Sequence, residues 1–145
     1  MAEIKDSIGY LINYTTRNLR KYAANLFRQN ELDITMDQWA ILNITKDNGG
    51  ISHLTLLSEM MAKDPPTITK MVDLLCKKNY LERKLDENDR RKWNLVITTD
   101  GIKREAQAYK IVQEIRKKIT SSLTKKEIEE LKHILSKINK TTDKP

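Results

Sequence analysis

Apolar residues in the first part of the chain recur every three or four positions, which is the spacing of one face of an α-helix. The pattern covers about residues 4–29, and its members are apolar apart from Thr15: Ile8, Leu11, Ile12, Thr15, Leu19, Ala23 and Leu26. The spacing predicts a long first helix with one apolar face.

Local signals mark both ends of a second helix. Thr35 and Gln38 have the spacing of a capping box, in which each side chain satisfies a backbone N–H group of the first turn. Asn48, Gly49 and Gly50 tolerate the positive φ values at which helices commonly end. We therefore expect a helix between these two signals, with Trp39 and Leu42 on its inner face.

Two more helices are predicted before the pattern changes. The third begins near Ser52 and carries apolar residues at helical spacing, namely Ile51, Leu54, Leu57 and Met61. The fourth begins at Pro66, because the first helical position accepts proline, while Pro65 is held extended by its neighbour. Asn79 can close this helix in the left-handed conformation. Its inner face comprises Ile68, Met71 or Val72, and Leu75, which leaves Thr67, Thr69, Lys70, Asp73 and Lys77 outside.

After the fourth helix the period of the apolar pattern changes from about 3.6 residues to two. Leu81, Arg83 and Leu85 alternate with Glu82 and Lys84, and Trp93, Leu95 and Ile97 alternate with Asn94 and Val96. This alternation predicts a two-stranded β-hairpin. The connection, residues 86–92, is wholly polar and longer than a tight turn needs, so we expect it to project into solvent.

Two long helices complete the chain. Thr98 is a suitable N-cap for the first of them, and Thr124 with Glu127 forms another capping box for the second. The last helix has a narrow apolar face, which could pack within the subunit or against a second subunit. Its members are Ile128, Leu131, Ile134 or Leu135, and Ile138.

Composition narrows the class of protein. The 145 residues include one cysteine and two histidines, so we expect no disulfide, structural metal or other cofactor. No apolar stretch is long enough to cross a bilayer and no signal-peptide pattern begins the chain, so the expected location is cytoplasmic. The net charge of +7 suggests a polyanionic partner, but the largest surplus lies in residues 100–145, where a solvated helix face is the simpler interpretation.

The order helix, turn, helix and β-hairpin indicates a mainly α fold with a small hairpin, the winged helix-turn-helix. In that fold the second helix of the motif enters the major groove of DNA. The small and basic residues on the outer side of the fourth helix fit this placement, because Thr67 and Thr69 can bond to phosphates or base edges, and Lys70 can reach a phosphate or a guanine.

Specific residues in the hairpin and in two helices resemble the multiple antibiotic resistance regulator (MarR) family. The hairpin pattern D-x-x-D-x-R, from Asp86 to Arg91, is followed by Ile97, Thr98 and Gly101 at the family spacing. Residues 34–42 (ITMDQWAIL) and 67–75 (TITKMVDLL) are similar to the family's second-helix opening and recognition helix. Two departures are Asn79, where glycine is common, and the paired prolines before the recognition helix.

The resemblance implies a role for each part of the wing. Arg91 would enter the minor groove, where a narrow A·T-rich segment attracts a guanidinium. Arg90 and Lys92 would add to the DNA-binding surface, and Asp86 and Asp89 would orient the arginines of the loop.

The resemblance also implies a homodimer, in which one MarR-like unit (1–145) contains dimerisation helices at about 4–29 and 99–140 and a winged helix-turn-helix at about 35–98. We expect a DNA-binding transcriptional regulator, a repressor that acts on a pseudo-palindromic operator and responds to a small apolar or phenolic effector. The possible ligand pocket consists of Tyr10, Tyr14, Trp39 and Tyr109, each of which could instead belong to the core.

Other interpretations of single features remain. Asp86, Glu87 and Asp89 could bind a cation or act as acids and bases, but adjacent cations neutralise them, and no nucleophile motif or phosphate loop accompanies them. We therefore expect no enzymatic activity. Cys76 favours buried packing over redox sensing. The alternative function is a winged-helix module that binds a protein partner, because a fold alone does not dictate function.

Overall fold

The structure, a computed structural model, describes residues 2–143. It contains seven helices and three short strands in this part of the chain. In order they are α1 (Ala2–Lys5), α2 (Ile8–Gln29), α3 (Met36–Asp47), β1 (Ile51–Ser52), α4 (Leu54–Met61), α5 (Pro65–Lys77), β2 (Leu81–Leu85), β3 (Trp93–Ile97), α6 (Thr99–Thr120) and α7 (Lys125–Thr142). The fold is thus mainly helical with a small antiparallel sheet, as the sequence predicts.

The predicted first helix is divided in the structure. Ser7 has an extended backbone and its hydroxyl accepts a hydrogen bond from the Tyr10 backbone N–H at 3.2 Å, which makes Ser7 the N-cap of α2. The serine is a local start signal that the apolar spacing alone does not reveal. On the predicted apolar face only Ala23 is buried, while Ile8 and Leu11 are exposed in the single chain.

Helix α3 has the predicted boundaries. Thr35 accepts from the Gln38 backbone N–H at 3.1 Å, and the Gln38 side chain accepts from the Thr35 N–H at 3.0 Å, so the capping box is confirmed. Gly49 and Gly50 follow the helix with φ values of +74° and +87°. This positive-φ turn lets the chain reverse into the sheet.

The sheet has three strands in the order β1-β3-β2, one more than the predicted hairpin. The prediction that Ile51 belongs to a helix is wrong, because Ile51 pairs with Val96 of β3. Helix α4 begins at Leu54, two residues after the predicted start near Ser52, with His53 as its N-cap. A two-residue strand is too short to produce a period, and it forms only because β3 offers a free edge.

Helix α5 begins one residue earlier than predicted. Pro65, which we expected to be extended, is its first residue, and the extended residue is Asp64. Both prolines fit in the first turn because its N–H groups have no acceptor within the helix. Asn79 has a φ of +62°, which confirms the predicted left-handed end after this helix.

The hydrophobic core joins α5 to the sheet. Ile68 and Leu75 of α5 and Leu81 of β2 are at most 1% exposed. Leu57 of α4 and Leu42 of α3 are fully buried as well. Val72, rather than Met71, completes the inner face of α5.

The described residues form two compact units that divide between Val112 and Gln113, so α6 belongs to both. Thr98 Oγ1 accepts from the Gly101 N–H at 2.9 Å at the start of α6, and Thr124 and Glu127 form the predicted capping box of α7. Helix α7 has no buried residue among those described, and three members of its apolar face, Leu131, Ile134 and Leu135, are exposed in the single chain. Within residues 2–143, no helix combines the length and apolar character that a membrane span requires.

A buried carboxylate ties the N-terminal part of α6 to α3. Glu105 is fully buried and accepts hydrogen bonds from Lys46 Nζ at 2.8 Å and Asn43 Nδ2 at 3.0 Å. The hydrogen bond to Glu105 raises the pKa of Lys46 above its usual value. This contribution to stability is complete below pH 10.5 and is lost only at higher pH, so the tie persists at neutral pH.

Candidate nucleic-acid interface

The outer face of α5 presents the predicted contact residues unequally. Thr69 and Lys70 are exposed, whereas Thr67 is half-buried. The Thr67 hydroxyl donates a hydrogen bond to Asp64 Oδ1 at 2.5 Å. Because that proton is engaged, Thr67 can offer a ligand only the lone pairs of its oxygen.

The first turn of α5 lacks two of the backbone donors with which helices commonly hold phosphates. Proline has no N–H group, and prolines occupy its first two positions. The Asp64 side chain also makes no capping bond to the backbone there. Anion contacts at this helix must therefore come mainly from side chains, of which Lys70 is the nearest exposed cation on the helix.

An ion pair connects α5 to the β-hairpin. Arg83 on β2 binds the carboxylate of Asp73 on α5. The arginine neutralises an acidic group on the outer face of the helix, where a negative charge would repel phosphates. The sequence pattern places Asp73 on the outer face of α5 but does not predict its contact with Arg83, because that contact depends on how β2 packs against α5.

Asp86 shapes the loop of the wing, which we define as residues 86–92. One carboxylate oxygen accepts from the backbone N–H groups of Asn88 and Asp89 at 2.8 and 3.1 Å, and the other accepts from Asn94 Nδ2 at 3.2 Å. These hydrogen bonds fold the loop backbone, because a short acidic side chain readily binds N–H groups two and three residues ahead. That Asp86 also orients the arginines of the loop stays a prediction.

These hydrogen bonds lower the pKa of Asp86 from its ordinary value of 3.8, with the bond from the Asn88 backbone as the largest cause. A lowered pKa means that folding favours the charged carboxylate. The stabilisation is complete above pH 3.8 and is lost only as the pH falls through the lower folded-state value. The wing loop therefore keeps these bonds throughout the neutral and mildly acidic range.

Asp89 holds the arginine that the wing motif singles out. Its Oδ1 atom accepts from the Arg91 backbone N–H at 3.0 Å and from Arg91 Nε at 3.2 Å. The Arg91 side chain is nevertheless 91% exposed. Asp89 thus holds Arg91 at its backbone N–H group and at the Nε edge of its guanidinium, while most of the side chain stays exposed. The orienting role of Asp89 in DNA binding stays a prediction. Arg90 and Lys92 are exposed beside it.

A polar cluster of Asp33, Tyr80 and Arg104 braces the other end of the hairpin. The Tyr80 hydroxyl donates to Asp33 Oδ2 at 2.6 Å, and Arg104 Nε lies 3.1 Å from Asp33 Oδ1 and 2.9 Å from the Tyr80 hydroxyl. Burial, followed by the bond to Asp33, raises the pKa of Tyr80, so the phenol stays neutral at physiological pH. The cluster joins the α2–α3 connection to the start of β2, and no sequence pattern pointed to it.

The four aromatic residues proposed for a ligand pocket form two pairs. The rings of Tyr10 and Tyr14 stack 5.8 Å apart, and those of Trp39 and Tyr109 lie 6.5 Å apart. Trp39 is buried and Tyr109 is partly exposed. A surface cavity of about 210 Å³ lies elsewhere, between α3 and α4, and is lined by Asn43, Ile44, Asp47, Asn48, Leu56 and Met60.

Cys76 is half-buried near the end of α5. Burial raises the pKa of its thiol, against a smaller opposing effect of Arg83. A raised pKa leaves little reactive thiolate at neutral pH, which agrees with the predicted packing role.

Comparison with known proteins gives matches in both sequence and fold. The model of the MarR family matches residues 34–93, which run from the loop before α3 to the start of β3. The multiple antibiotic resistance protein MarR of Escherichia coli is 30% identical over 108 residues, which cover 74% of each protein. Its counterpart in Salmonella typhimurium is 31% identical over the same coverage.

Solved structures resemble the fold over nearly its full length. A mutant E. coli MarR complexed with operator DNA aligns with a TM-score of 0.82 at 26% identity, covering 90% of this chain and 92% of that one. A MepR–DNA complex from S. aureus aligns with a TM-score of 0.81 at 23% identity, covering 93% of this chain and 96% of that one. At that identity the second likeness supports the fold alone.

Proposed function

The chain belongs to the MarR family of transcriptional regulators, and from this premise we propose that it binds duplex DNA through α5 and the wing. The observation that carries the proposal is the wing loop, in which Asp86 and Asp89 fold the backbone and leave Arg91 91% exposed. A loop so ordered presents a guanidinium without losing much conformational entropy on binding. The match to an operator complex of a relative supports the same use of the fold.

Each part of the surface has a different task in this proposal. Helix α5 enters the major groove, where Thr69 and Lys70 face base edges and phosphates. Arg91 enters the adjacent minor groove, where a narrow A·T-rich segment has an enhanced negative potential. Arg90 and Lys92 bind phosphates, which supply affinity with little sequence preference. Thr67 has a smaller task than the sequence suggested, because its proton is engaged by Asp64.

We propose that the regulator acts as a homodimer. The apolar faces of α2 and α7 remain exposed in the single chain, and burying such faces against a second subunit would remove them from water. The exposed members are Ile8, Leu11, Ile12 and Leu19 on α2, and Leu131, Ile134 and Leu135 on α7. A two-fold dimer with recognition helices about 34 Å apart fits a pseudo-palindromic operator.

Repression then follows from occupancy of the operator. A small apolar or phenolic effector would weaken DNA binding if it binds more tightly to a dimer with a different helix spacing. The partly exposed Tyr109 ring beside buried Trp39 is the surface that best fits such an effector. The pair lies on α3 and α6, so a ligand there would contact two helices at once.

The direct test is Arg91→Ala, measured by fluorescence anisotropy with labelled duplex DNA from upstream of the gene. We expect a loss of about 1–3 kcal/mol of binding free energy and an unchanged dimer. Lys132→Ala, which removes an exposed cation from α7, is the matched control and should bind like the wild type. If the wild-type protein does not bind DNA even at low salt, the alternative function, a winged-helix module that binds a protein partner, is favoured.

A further inference from the structure

The wing carries an exposed apolar pair, Trp93 on β3 and Leu85 on β2. Trp93 is 55% exposed and Leu85 is 48% exposed, and the two residues are direct partners across the hairpin. The alternating pattern placed Trp93 in line with Leu95 and Ile97, which are both buried. Trp93 therefore shares the inner face of the strand but lies beyond the end of the core.

The register of the hairpin fixes which face this pair occupies. Alternate residues of a strand share a face, and so do cross-strand partners, so Trp93 and Leu85 lie on the same face as Arg83. Arg83 reaches Asp73 of α5 from that face. The apolar pair thus lies on the side of the hairpin that faces the recognition helix, between the ion pair and the loop that presents Arg91.

We propose that the indole of Trp93 packs against the sugar–phosphate backbone of the DNA, with Leu85 as its support. The inference rests on the proposed function. If α5 lies in the major groove and Arg91 lies in the adjacent minor groove, the DNA backbone between the two grooves must pass this part of the hairpin. Deoxyribose offers apolar surface to the ring, and the indole N–H can donate to a phosphate oxygen. Trp93 is then a positioning contact that fixes the wing on the duplex.

The charges around the pair favour DNA over a protein or a second copy of this chain. Lys92 precedes Trp93 in the loop and is exposed, whereas Lys84 lies on the opposite face of the hairpin. Arg90 and Arg91 extend the same positive surface. An apolar patch bordered by cations suits a polyanion with apolar sugars, and a second copy would bring the same positive charges against each other.

The affinity test compares Trp93→Ala with Ile51→Ala. Ile51 is the matched control because it is an apolar residue of the same sheet, 45% exposed, on the strand away from the hairpin loop. With a labelled upstream duplex, Trp93→Ala should bind about fivefold to twentyfold more weakly, and Ile51→Ala should bind like the wild type. The affinity for a duplex of unrelated sequence should fall by the same factor. The salt dependence of DNA binding should not change, because the substitution removes no charge.

Tryptophan fluorescence supplies a measurement that a merely structural role would not change. The chain has two tryptophans, and Trp39 is buried while Trp93 is exposed. Saturating duplex DNA should protect the wild type from quenching by acrylamide. The Trp93→Phe variant retains the ring contact and the fold, so it should bind DNA, but its remaining Trp39 emission should be insensitive to the duplex.

The outcomes separate this inference from the proposed function. If Arg91→Ala weakens DNA binding while Trp93→Ala does not, or if DNA leaves the quenching of wild-type Trp93 unchanged, the contact is wrong and the regulator stands. If Trp93→Ala changes self-association instead of DNA affinity, the pair belongs to an interface between copies and the inference also fails. If neither variant matters because the wild type binds no DNA, the proposed function itself has failed.

Discussion

Asp86 and Asp89, the two aspartates of the wing motif, have different hydrogen-bond partners. Asp86 binds two backbone N–H groups and Asn94, so it determines the path of the loop. Asp89 binds both the backbone N–H group and the Nε atom of Arg91, so it restrains the orientation of the guanidinium. Because an aspartate side chain is short, each carboxylate reaches only groups that lie close to it in the loop. The spacing of the two aspartates therefore decides which groups each of them binds.

At this scale we predict that Asp86→Ala weakens DNA binding without unfolding the protein. The substitution leaves the loop backbone less ordered before binding, so affinity should fall about threefold to tenfold. Anisotropy with the labelled upstream duplex measures the loss. Glu87→Ala is the control, because it removes a neighbouring exposed carboxylate. Equal affinities of the two variants would show that the ordering of the loop does not contribute to binding.

At the scale of elements, the start of α6 is held against the turn before β2. A Cβ atom added to Gly101 would overlap the carbonyl oxygen of Tyr80 and would lie 2.8 Å from Ile97 Cγ1. The backbone of the helix therefore approaches the hairpin more closely than any larger residue allows. The Asp33, Tyr80 and Arg104 cluster lies at the same junction and adds hydrogen bonds to this close packing.

The surroundings of Gly101 and Gly9 predict different effects of alanine substitution on stability. Gly101→Ala should lower the free energy of unfolding by about 1–3 kcal/mol, because backbone atoms must shift to admit the methyl group. Gly9→Ala, in α2, meets nothing within 4 Å and should be neutral or raise stability by up to about 1 kcal/mol. Chemical denaturation measures both. A Gly101→Ala protein as stable as the wild type would contradict the close approach.

At the scale of the whole molecule, the exposed apolar face of α7 predicts that self-association and DNA binding are linked. Ile134 is 53% exposed in the single chain, and Ile134→Glu should weaken the dimer at least about tenfold, because it would bury a charge at the interface. DNA affinity should fall with it, since both half-sites must be bound together. Sedimentation at several protein concentrations measures the dimer.

Ser136→Glu is the control for that experiment, because it adds the same charge to α7 outside the apolar face. It should dimerise like the wild type. Should Ile134→Glu remain a dimer at the same concentrations, the face of α7 would not be part of the interface, and the homodimer would need another surface.

The sequence alone determined those features that depend on residues close together in the chain. The capping boxes at Thr35 and Thr124 and the left-handed Asn79 each depend on residues within a few positions of one another, so a short pattern contains the information. The wing motif belongs to this class, because Asp86 and Asp89 bind groups at most eight residues away.

Only the tertiary structure decided the features that need distant partners. Strand β1 exists because β3 lies beside it, and the buried Glu105 of α6 finds Lys46 because α3 lies next to it. Trp93 follows the same strand alternation as Leu95, yet one is exposed and the other buried, because the core ends between them. Local chemistry specifies helix ends and turns, whereas strand pairing, burial and ion pairing depend on which elements meet.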